Sequence, residues 1–371
     1  MDPIIAATHA DPYPYYAQLR AAGGLAFHQG LNLWVASSAR AVAAVLEHPD
    51  CHVRPTDEPV PKAIAGGMAG SVFGRLMRMN EGPRQRCPRS AIEPELAALD
   101  CSEVKALVTA RLITPDAEGL HNAMFRGPVC VVAALLGFSP AHARIISELT
   151  AEFVACLSPL SDHAQVAAAQ LAAEQLSGYM VELLNDPDNS SPLLANIRRR
   201  FAAMSTDQTV LIANLVGLLS QTHEATAGLI GNTLIALHRH PALPRDAANI
   251  NDWIAETLRF DPPVQNTRRF VAAACEIEGV RLAAGDVILV VLAAANRDPM
   301  LNNEPEQFLL DRANRQSFRF GAGRHHCPGQ GLALDICTAT LQALLATGIE
   351  VGGLKWVYRR SLNGRVPAFS F

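Results

Sequence analysis

Residues 318–330 read FRFGAGRHHCPGQ, and the rest of the chain is best understood outward from this stretch. Its one cysteine, Cys327, follows two histidines and lies between Gly323 and Gly329. The spacing predicts a helix that begins at Pro328, because proline is favoured in the first helical turn. The unpaired N–H groups and partial positive charge at a helix start stabilise a thiolate. The stretch therefore indicates a thiolate that could bind a soft metal or act as a nucleophile.

Three interpretations of this thiol follow from the residues alone. Cys327 could be a buried structural cysteine on a turn. A zinc site made by His325, His326 and Cys327 is disfavoured, because adjacent ligands on one turn splay apart and no second cluster has zinc spacing. The third interpretation is a thiolate ligand of haem iron. Gly321 and Gly329 would let the backbone approach such a flat ligand closely.

The composition excludes several classes of protein. The chain has 371 residues, 49% of them hydrophobic, and its net charge of −4 comes from 31 basic and 35 acidic residues. This balance predicts no general affinity for nucleic acid or for an anionic membrane. The first basic residue is Arg20, so no positively charged leader is expected. The eight cysteines are scattered, which is typical of a reducing cytosol. We therefore expect a cytoplasmic protein.

The hydrophobic pattern predicts a mainly α-helical chain. From about residue 101 to 240, apolar residues recur at three- and four-residue steps. Within that stretch, Ser205-Thr206-Asp207 is an N-cap cluster for a long helix that Pro241 stops. Residues 268–295 alternate and turn like a small sheet. Shorter elements are predicted at Tyr15–Ala22 (helix), Leu31–Val35 (strand), Ala39–Glu47 (helix) and Asn249–Phe260 (helix), and 57–83 as loops around a short helix.

The segment from Phe320 to Cys327 and on to Gly329 resembles the haem-binding loop of the cytochrome P-450 superfamily, in particular its soluble bacterial members. The resemblance implies that Cys327 is the axial iron ligand of haem b. It also implies that Phe320 packs near the thiolate, that Gly321 and Gly329 border the haem, and that His325 meets a propionate. The implied fold is a large helical domain with a small β-rich lobe, the haem lying between the long helix and the cysteine loop.

The resemblance covers most of the chain and implies one domain over residues 1–371. Its β-rich lobe would be residues 1–60, joined by 265–295. Glu256-Thr257-Leu258-Arg259 resembles the family's ExxR pair, whose side chains share a helix face. The plain alternative is an exposed and weak ion pair. In the family the pair is buried behind the haem loop. Gln307 stands where the family often has an arginine.

Two further segments resemble the family's propionate-binding sequences. Arg269 aligns with a propionate-binding arginine, and Arg268 is the fallback. In the segment 81–89, Gln85 and Arg89 occupy the positions of a histidine and an arginine that bind the other propionate. Arg84 and Arg86 are the substitutes for Arg89.

The long helix departs from the family's pattern. The family usually has a glycine, any residue, an acid and then a threonine, and this threonine helps to deliver protons during oxygen activation. Here the acid is Glu224, but Thr222 replaces the glycine and Ala225 the threonine. Residues on a helix are spaced by about 100°, so Thr226 points away from this position. The predicted proton source is therefore Thr222 or Gln221 with ordered water, or the substrate itself. Glu224 either connects this network to solvent or holds the helix.

The resemblance implies a monooxygenase that oxidises a small or medium-sized organic molecule in a natural-product pathway. Ferredoxin and its reductase would supply electrons to a monomer, with no membrane or nucleic-acid partner. Because of Ala225, peroxide-driven oxidation, coupling or a non-redox rearrangement stays open, as does a haem sensor or carrier.

Candidate substrate contacts are 57–76, 152–160, one face of the long helix and Val264–Thr267, with Gln265, Asn266 and Gln221 suggesting a polar substrate group. Candidate docking residues for the electron donor are Arg319, Arg324 and His326.

Overall fold

The computed structural model describes residues 1–111, 113–204 and 206–370. The chain divides into two compact units. The mixed unit comprises residues 1–56, 228–327 and 349–371, and the helical unit comprises 57–227 and 328–348. Ser205, part of the predicted N-cap cluster, lies outside the described residues.

The elements follow one another in an order dominated by helices. The α-helices are α1 (Tyr13–Ala21), α2 (Ala39–Glu47), α3 (Met68–Arg75), α4 (Pro83–Ala97), α5 (Cys101–Thr109), α6 (Ala117–His121), α7 (Gly127–Leu135), α8 (Pro140–Ala155), α9 (His163–Asn185), α10 (Pro192–Ala202), α11 (Gln208–Arg239), α12 (Ile250–Phe260), α13 (Leu292–Asn296) and α14 (Gln330–Ala346). A π-helical turn, Asn122–Arg126, joins α6 to α7. The strands are β1 (Leu25–His28), β2 (Leu33–Ala36), β3 (Cys51–His52), β4 (Thr267–Val271), β5 (Cys275–Ile277), β6 (Val280–Leu282), β7 (Val287–Val290), β8 (Lys355–Tyr358) and β9 (Pro367–Ser370).

The mixed unit is built on a sheet that joins distant parts of the chain. Its strand order is β1-β2-β7-β4-β3, and β2 runs parallel to β7 with Trp34 opposite Ile288. The remaining pairs in this sheet are antiparallel. Apolar side chains of α2 and of the sheet, such as Val45 and Ile288, form one core cluster of the unit, and Tyr16 of α1 packs with Leu289 of β7 in another. The N-terminal strands are therefore held by strands more than 200 residues away.

The helical unit has one apolar core shared by most of its helices. Phe73 of α3, Phe153 of α8, Leu176 of α9 and Ile336 of α14 all contribute buried side chains to it. The three- and four-residue spacing of the apolar residues explains this, since it places them on one helical face. Within the described ranges, no helix is long and apolar enough to cross a membrane.

The long helix follows the prediction closely. Helix α11 has 32 residues, and the Asp207 carboxylate accepts the N–H of Thr209 at 2.9 Å just before its first turn. This bond satisfies one of the orphan N–H groups of the helix start. Pro241 follows two residues after the helix ends, as expected of a residue that cannot continue it.

Two predictions of local structure were wrong. Residues 268–295 are not all sheet: β7 ends at Val290 and α13 begins at Leu292. The run Ala293–Ala295 explains the change, because alanine is the strongest helix former. The last helix begins at Gln330 rather than Pro328, because Pro328 and Gly329 form a turn and the first bond, from Ala333 N–H at 2.9 Å, reaches only Gly329 O.

Candidate functional site

The loop that carries Cys327 is shaped by glycines in left-handed conformations. Gly321 has φ 74° and Gly323 has φ 63°, values that residues with a side chain rarely adopt. The Cys327 N–H donates to Phe320 O at 2.9 Å and so closes the loop on itself. Cys327 and Phe320 are both half-buried. The thiol is thus fixed by backbone contacts and still has an accessible side.

Arg324 fastens this loop to the end of α2. Its guanidinium donates to the carbonyl oxygens of His48 at 2.9 Å, Pro49 at 3.1 Å and Cys51 at 3.0 Å. A Cβ on Gly323 would lie 3.0 Å from Leu46 O, so the two segments are in close contact. Arg324 was also predicted to dock an electron donor; its guanidinium donates to three carbonyl groups of its own chain, and the docking role stays a prediction.

Glu256 is the centre of a buried ionic cluster. Glu256 and Arg259 are both completely buried, with 2.6 Å between Arg259 Nη2 and Glu256 Oε1. Arg312 Nε lies 3.1 Å from the same carboxylate and Arg315 Nε 2.9 Å from it, and the N–H of Leu309 donates to it at 3.1 Å. The predicted ion pair is therefore part of a larger group in which three guanidinium groups surround one carboxylate.

Opposing effects set the pKa of this carboxyl group. Burial alone would raise the pKa of Glu256, because it penalises the charged form. The hydrogen bond and charge of Arg259, followed by the Leu309 N–H and Arg312, outweigh burial and leave the pKa below its ordinary value. Glu256 therefore stays ionised in the folded protein at neutral pH.

The cluster also fixes the backbone that leads to the cysteine loop. Arg259 donates to Pro305 O and Gln307 O, both at 2.8 Å, and Arg312 donates to Gln307 O at 2.7 Å. Gln307 thus contributes its backbone, and the positive charge that a family arginine would add comes from Arg312 and Arg315. Sequence reasoning missed both contacts with Glu256, since each partner is more than 50 residues away and no local pattern marks it.

The two candidate arginines of β4 lie in different environments. Arg269 is 5% exposed and donates to Arg268 O at 2.9 Å and to Thr267 Oγ1 at 3.3 Å. Arg268 is half-buried, and burial lowers its pKa. Neighbouring residues of a strand point to opposite faces, so at most one of the two can face a given ligand.

The candidate propionate-binding residues of α4 differ in exposure and in their contacts. Gln85 is 4% exposed, whereas Arg84 and Arg86 are exposed. Arg89 forms a bidentate pair with Glu93 one turn later, at 2.8 and 2.5 Å. This pairing neutralises the guanidinium that was predicted to meet a propionate, so a propionate would have to share Arg89 with Glu93.

The candidate proton donors lie on one face of α11. Gln221, Thr222 and Ala225 are all half-buried, Glu224 is exposed, and Thr226 is 2% exposed. The Thr222 hydroxyl donates to Leu218 O and the Gln221 amide to Gly217 O, each at 2.8 Å. Both side chains therefore use a hydrogen within their own helix, and their oxygens remain as acceptors for another donor.

Two polar residues expected to contact a substrate serve the packing of the mixed unit instead. The Gln265 amide is fully buried, donates to Pro262 O at 2.7 Å and accepts from Tyr16 Oη at 3.2 Å. Asn266 donates to Leu362 O at 3.0 Å. Their polarity is explained by these contacts, so the substrate role predicted for them is not supported.

The residues around Cys327 fit a haem better than a zinc ion. Among the described residues, no group of three or more His, Cys, Asp or Glu side chains could hold a metal ion, so His325, His326 and Cys327 do not form the zinc alternative. A half-buried thiol outside any such group suits a metal that brings its other ligands with it, as haem iron does. Phe320, whose carbonyl accepts the Cys327 N–H, is half-buried and would offer a porphyrin an apolar surface.

Comparisons with known proteins agree with this fit. A family model described as Cytochrome P450 matches residues 250–347, which include Glu256, Arg259 and Cys327. The chain is 28% identical to the cytochrome P450 monooxygenase PikC of Streptomyces venezuelae, over 96% of this chain and 89% of PikC. It is 36% identical to the vitamin D(3) 25-hydroxylase of Pseudonocardia autotrophica, over 64% of this chain and 60% of that protein.

The fold agrees as well. The crystal structure of CalO2 superposes with a TM-score of 0.85, covering 100% of this chain and 98% of CalO2 at 22% identity. That likeness extends the agreement from the cysteine loop and the ionic cluster to the whole arrangement of helices and strands. By its matched motifs, its relatives and its fold, the chain belongs to the cytochrome P450 superfamily.

Proposed function

We propose that this cytochrome P450 enzyme is a monooxygenase that oxidises a small or medium-sized organic molecule in a biosynthetic pathway. The observation that carries the proposal is the accessible thiol of Cys327 on its glycine-shaped loop. Relatives named as a monooxygenase and a hydroxylase support it. Bound haem supplies oxygen activation, which a thiolate ligand favours by donating electron density to the iron.

The chain's own side chains would hold the cofactor in place. Cys327 would bind the iron through sulfur, and Arg269 and His325 would pair with one propionate. Gln85 and Arg89 would contact the other propionate. Haem b needs no covalent attachment, so these contacts, the Phe320 ring and the glycines Gly321 and Gly329 would retain it.

Proton delivery would depend on Thr222 and Gln221, because Ala225 has no hydroxyl. Both lie on the half-buried face of α11 with Ala225, and their oxygens can accept from an ordered water that then donates onward. Glu224 is exposed on the same helix and would connect this path to solvent. Thr226 is buried on another face and would take no part.

A ferredoxin-type protein would supply the electrons to the monomeric enzyme. Arg319 is the best supported of the three docking residues, and His326 remains a candidate. Burial, followed by the neighbouring Arg315, lowers the pKa of Arg319. In the described part of the chain no carboxylate lies within ion-pair distance of it. An acidic partner would supply a counter-charge that opposes both effects.

The absence of a hydroxyl group at Ala225 favours a second candidate function. Without the alcohol, peroxide-driven oxidation, coupling or a non-redox rearrangement would need less of the proton path than dioxygen activation does. A haem sensor or carrier is the remaining alternative, and it would bind haem without turnover.

The experiment that tests the proposal combines the spectra of two cysteine variants with a turnover assay. Cys327→Ala should abolish the far-red-shifted Soret band of the reduced carbonyl complex, whereas Cys101→Ala, at an exposed thiol, should leave it unchanged. Compounds that shift the haem spectrum of the wild type would then be incubated with reductase, ferredoxin and reductant, with peroxide alone, or with neither. Oxygenated product only with the electron chain supports a monooxygenase, and survival of the band in Cys327→Ala would contradict the haem assignment.

A further inference from the structure

A small cleft in the helical unit lies beside the π-helical turn. Its volume is about 120 Å³, and its walls come from α5, the π turn, α7 and α14. The walls are mainly apolar, with Val108, Ile113 and Val131 among them, and Thr340 of α14 closes one side. A cavity of about 150 Å³ holds a benzene molecule, so this slightly smaller cleft, which is partly open, has the size for a short hydrocarbon chain.

Two guanidinium groups give the cleft its charge. Arg111 and Arg126 are its charged lining residues. Arg126 has only a partial counter-charge, because Glu148 lies 3.6 Å away and is shared with Arg144 at the same distance. An apolar cleft with two such donors at its edge is complementary to a short hydrocarbon chain that ends in a carboxylate, since guanidinium groups bind carboxylates in charge-assisted pairs.

The π turn connects this cleft to the long helix. Asn122, Ala123 and Arg126 of the turn line the cleft, while Phe125 of the same turn is buried. The Phe125 ring lies 5.3 Å from the ring of His223 in α11. His223 is 6% exposed and lies between Thr222 and Glu224 in sequence. Single π-helical turns inside α-helices often occur at functional sites.

From these contacts we infer that the cleft is an effector site for a short-chain carboxylate, whose binding acts on α11 through the π turn and the Phe125–His223 contact. The carboxylate pairs with Arg111 and Arg126, and the hydrocarbon chain lies against Val108 and Val131. Binding orders the π turn, and the buried contact between the Phe125 and His223 rings carries this ordering to residues 218–226. The inference does not depend on the proposed monooxygenase activity, because binding and ordering can be measured without turnover.

Cys130 provides a direct measure of occupancy. Its thiol lines the cleft and is half-buried, whereas Cys101 is exposed elsewhere and serves as the internal reference. Sodium hexanoate, added to the full-length haem-loaded enzyme, should slow the alkylation of Cys130 by iodoacetamide and leave Cys101 unaffected. Hexanol, which lacks the charge, should protect Cys130 at least about tenfold less well, the change expected from losing a charge-assisted hydrogen bond.

Three variants distinguish this site from general binding. Gly127→Leu should fill the cleft, because a Cβ at Gly127 meets only Asn122 O, at 3.4 Å. Its melting temperature confirms that it folds. Arg126→Gln should weaken hexanoate binding at least about tenfold. Glu148→Gln breaks the same ion pair without removing the cation, and should bind hexanoate at least as tightly as the wild type.

Hydrogen exchange tests the second half of the inference. Hexanoate should slow amide exchange both in residues 119–131 and in residues 218–226 of the wild type, and in neither segment of Gly127→Leu. No protection of Cys130 by hexanoate, or equal protection in Gly127→Leu, would overturn the site. Slower exchange confined to residues 119–131 would overturn the action on α11.

Discussion

At the scale of single residues, the missing alcohol of α11 leads to the most specific prediction. Thr222 and Gln221 share the half-buried face of Ala225, and Thr226 is buried. Thr222→Val and Gln221→Leu should therefore lower the product formed per electron consumed, because positioned proton donors typically contribute about 10²–10⁴-fold to rate. Thr226→Val is the matched control and should change coupling little. The measurement compares the amount of product formed with the reductant consumed and the peroxide released.

The outcomes of these three substitutions distinguish between the possible sources of protons. If Thr226→Val uncouples the reaction and the other two do not, the helix register assumed for proton delivery is wrong. If none of the three variants changes coupling, protons come from the substrate or the reaction needs none. That result would favour the peroxide-driven or non-redox alternative.

Arg319 of the cysteine loop is predicted to attract the electron donor through its positive charge. Arg319→Gln should slow electron transfer from an acidic ferredoxin and flatten its dependence on salt, since salt screens charge steering over a Debye length of about 8 Å. Arg281→Gln removes the same charge from a side chain that is 93% exposed on another segment, and should have no effect. Stopped-flow reduction at several salt concentrations decides between them. Equal rates for wild type and Arg319→Gln at low salt would rule out docking through this residue.

At the scale of elements, the cluster around Glu256 ties α12 to the segment before the cysteine loop. Glu256→Gln leaves three buried or nearly buried guanidinium groups without their carboxylate. Removing one partner of a buried ion pair costs about 3–5 kcal/mol, so this variant should unfold at much lower denaturant concentration. Glu148→Gln, in an exposed pair, should cost less than about 1 kcal/mol. Denaturant unfolding measures both free energies.

The lowered pKa of Glu256 makes a further prediction about acid. Because the folded-state pKa lies below the unfolded value of about 4.3, the stabilisation is fully present above that value. It is lost as the pH falls through the folded-state pKa. The difference in unfolding free energy between wild type and Glu256→Gln should therefore be constant near neutral pH and shrink below about pH 4. A difference that does not change with pH would contradict the ionised state assigned to Glu256.

The elements also show what a sequence can and cannot predict. Helix α2 was predicted with its observed ends, because Ser38 caps it with a local bond to Ala41 N–H at 3.2 Å. Strand β1 and the β8–β9 hairpin were missed, since four-residue strands carry little periodicity and their partners decide them. The buried pair of Glu256 and Arg259 was predicted because its motif is local; the role of Cys327 rests on an equally local motif and stays a prediction. Arg315 and the role of Arg324 were missed because their partners are far along the chain.

At the scale of the whole molecule, Arg365 links both ends of the chain within the mixed unit. It is fully buried, and its guanidinium donates to Ala7 O, His9 O and Ala10 O at 3.3, 2.5 and 3.0 Å. Its Nε lies 2.7 Å from the carboxylate of Asp261, the residue that ends α12. The N-terminal ten residues are therefore held by one side chain from the last ten.

This arrangement predicts that one substitution will release the N-terminus and weaken the whole unit. Arg365→Gln leaves the Asp261 carboxylate buried without its cation, which costs about 3–5 kcal/mol, and frees three carbonyl groups of residues 7–10. Hydrogen exchange of residues 5–12 should then rise to the rate of an unfolded segment. Arg365→Lys keeps the charge but cannot reach three carbonyl groups and a carboxylate at once, so it should rescue only part of the stability.

Arg360→Gln, at an exposed position five residues earlier, is the control. The prediction is wrong if the unfolding free energy of Arg365→Gln lies within about 1 kcal/mol of the wild-type value, which is no more than the cost of losing a surface pair. The termini would then be held by the apolar contacts of Tyr13 and Tyr16 instead.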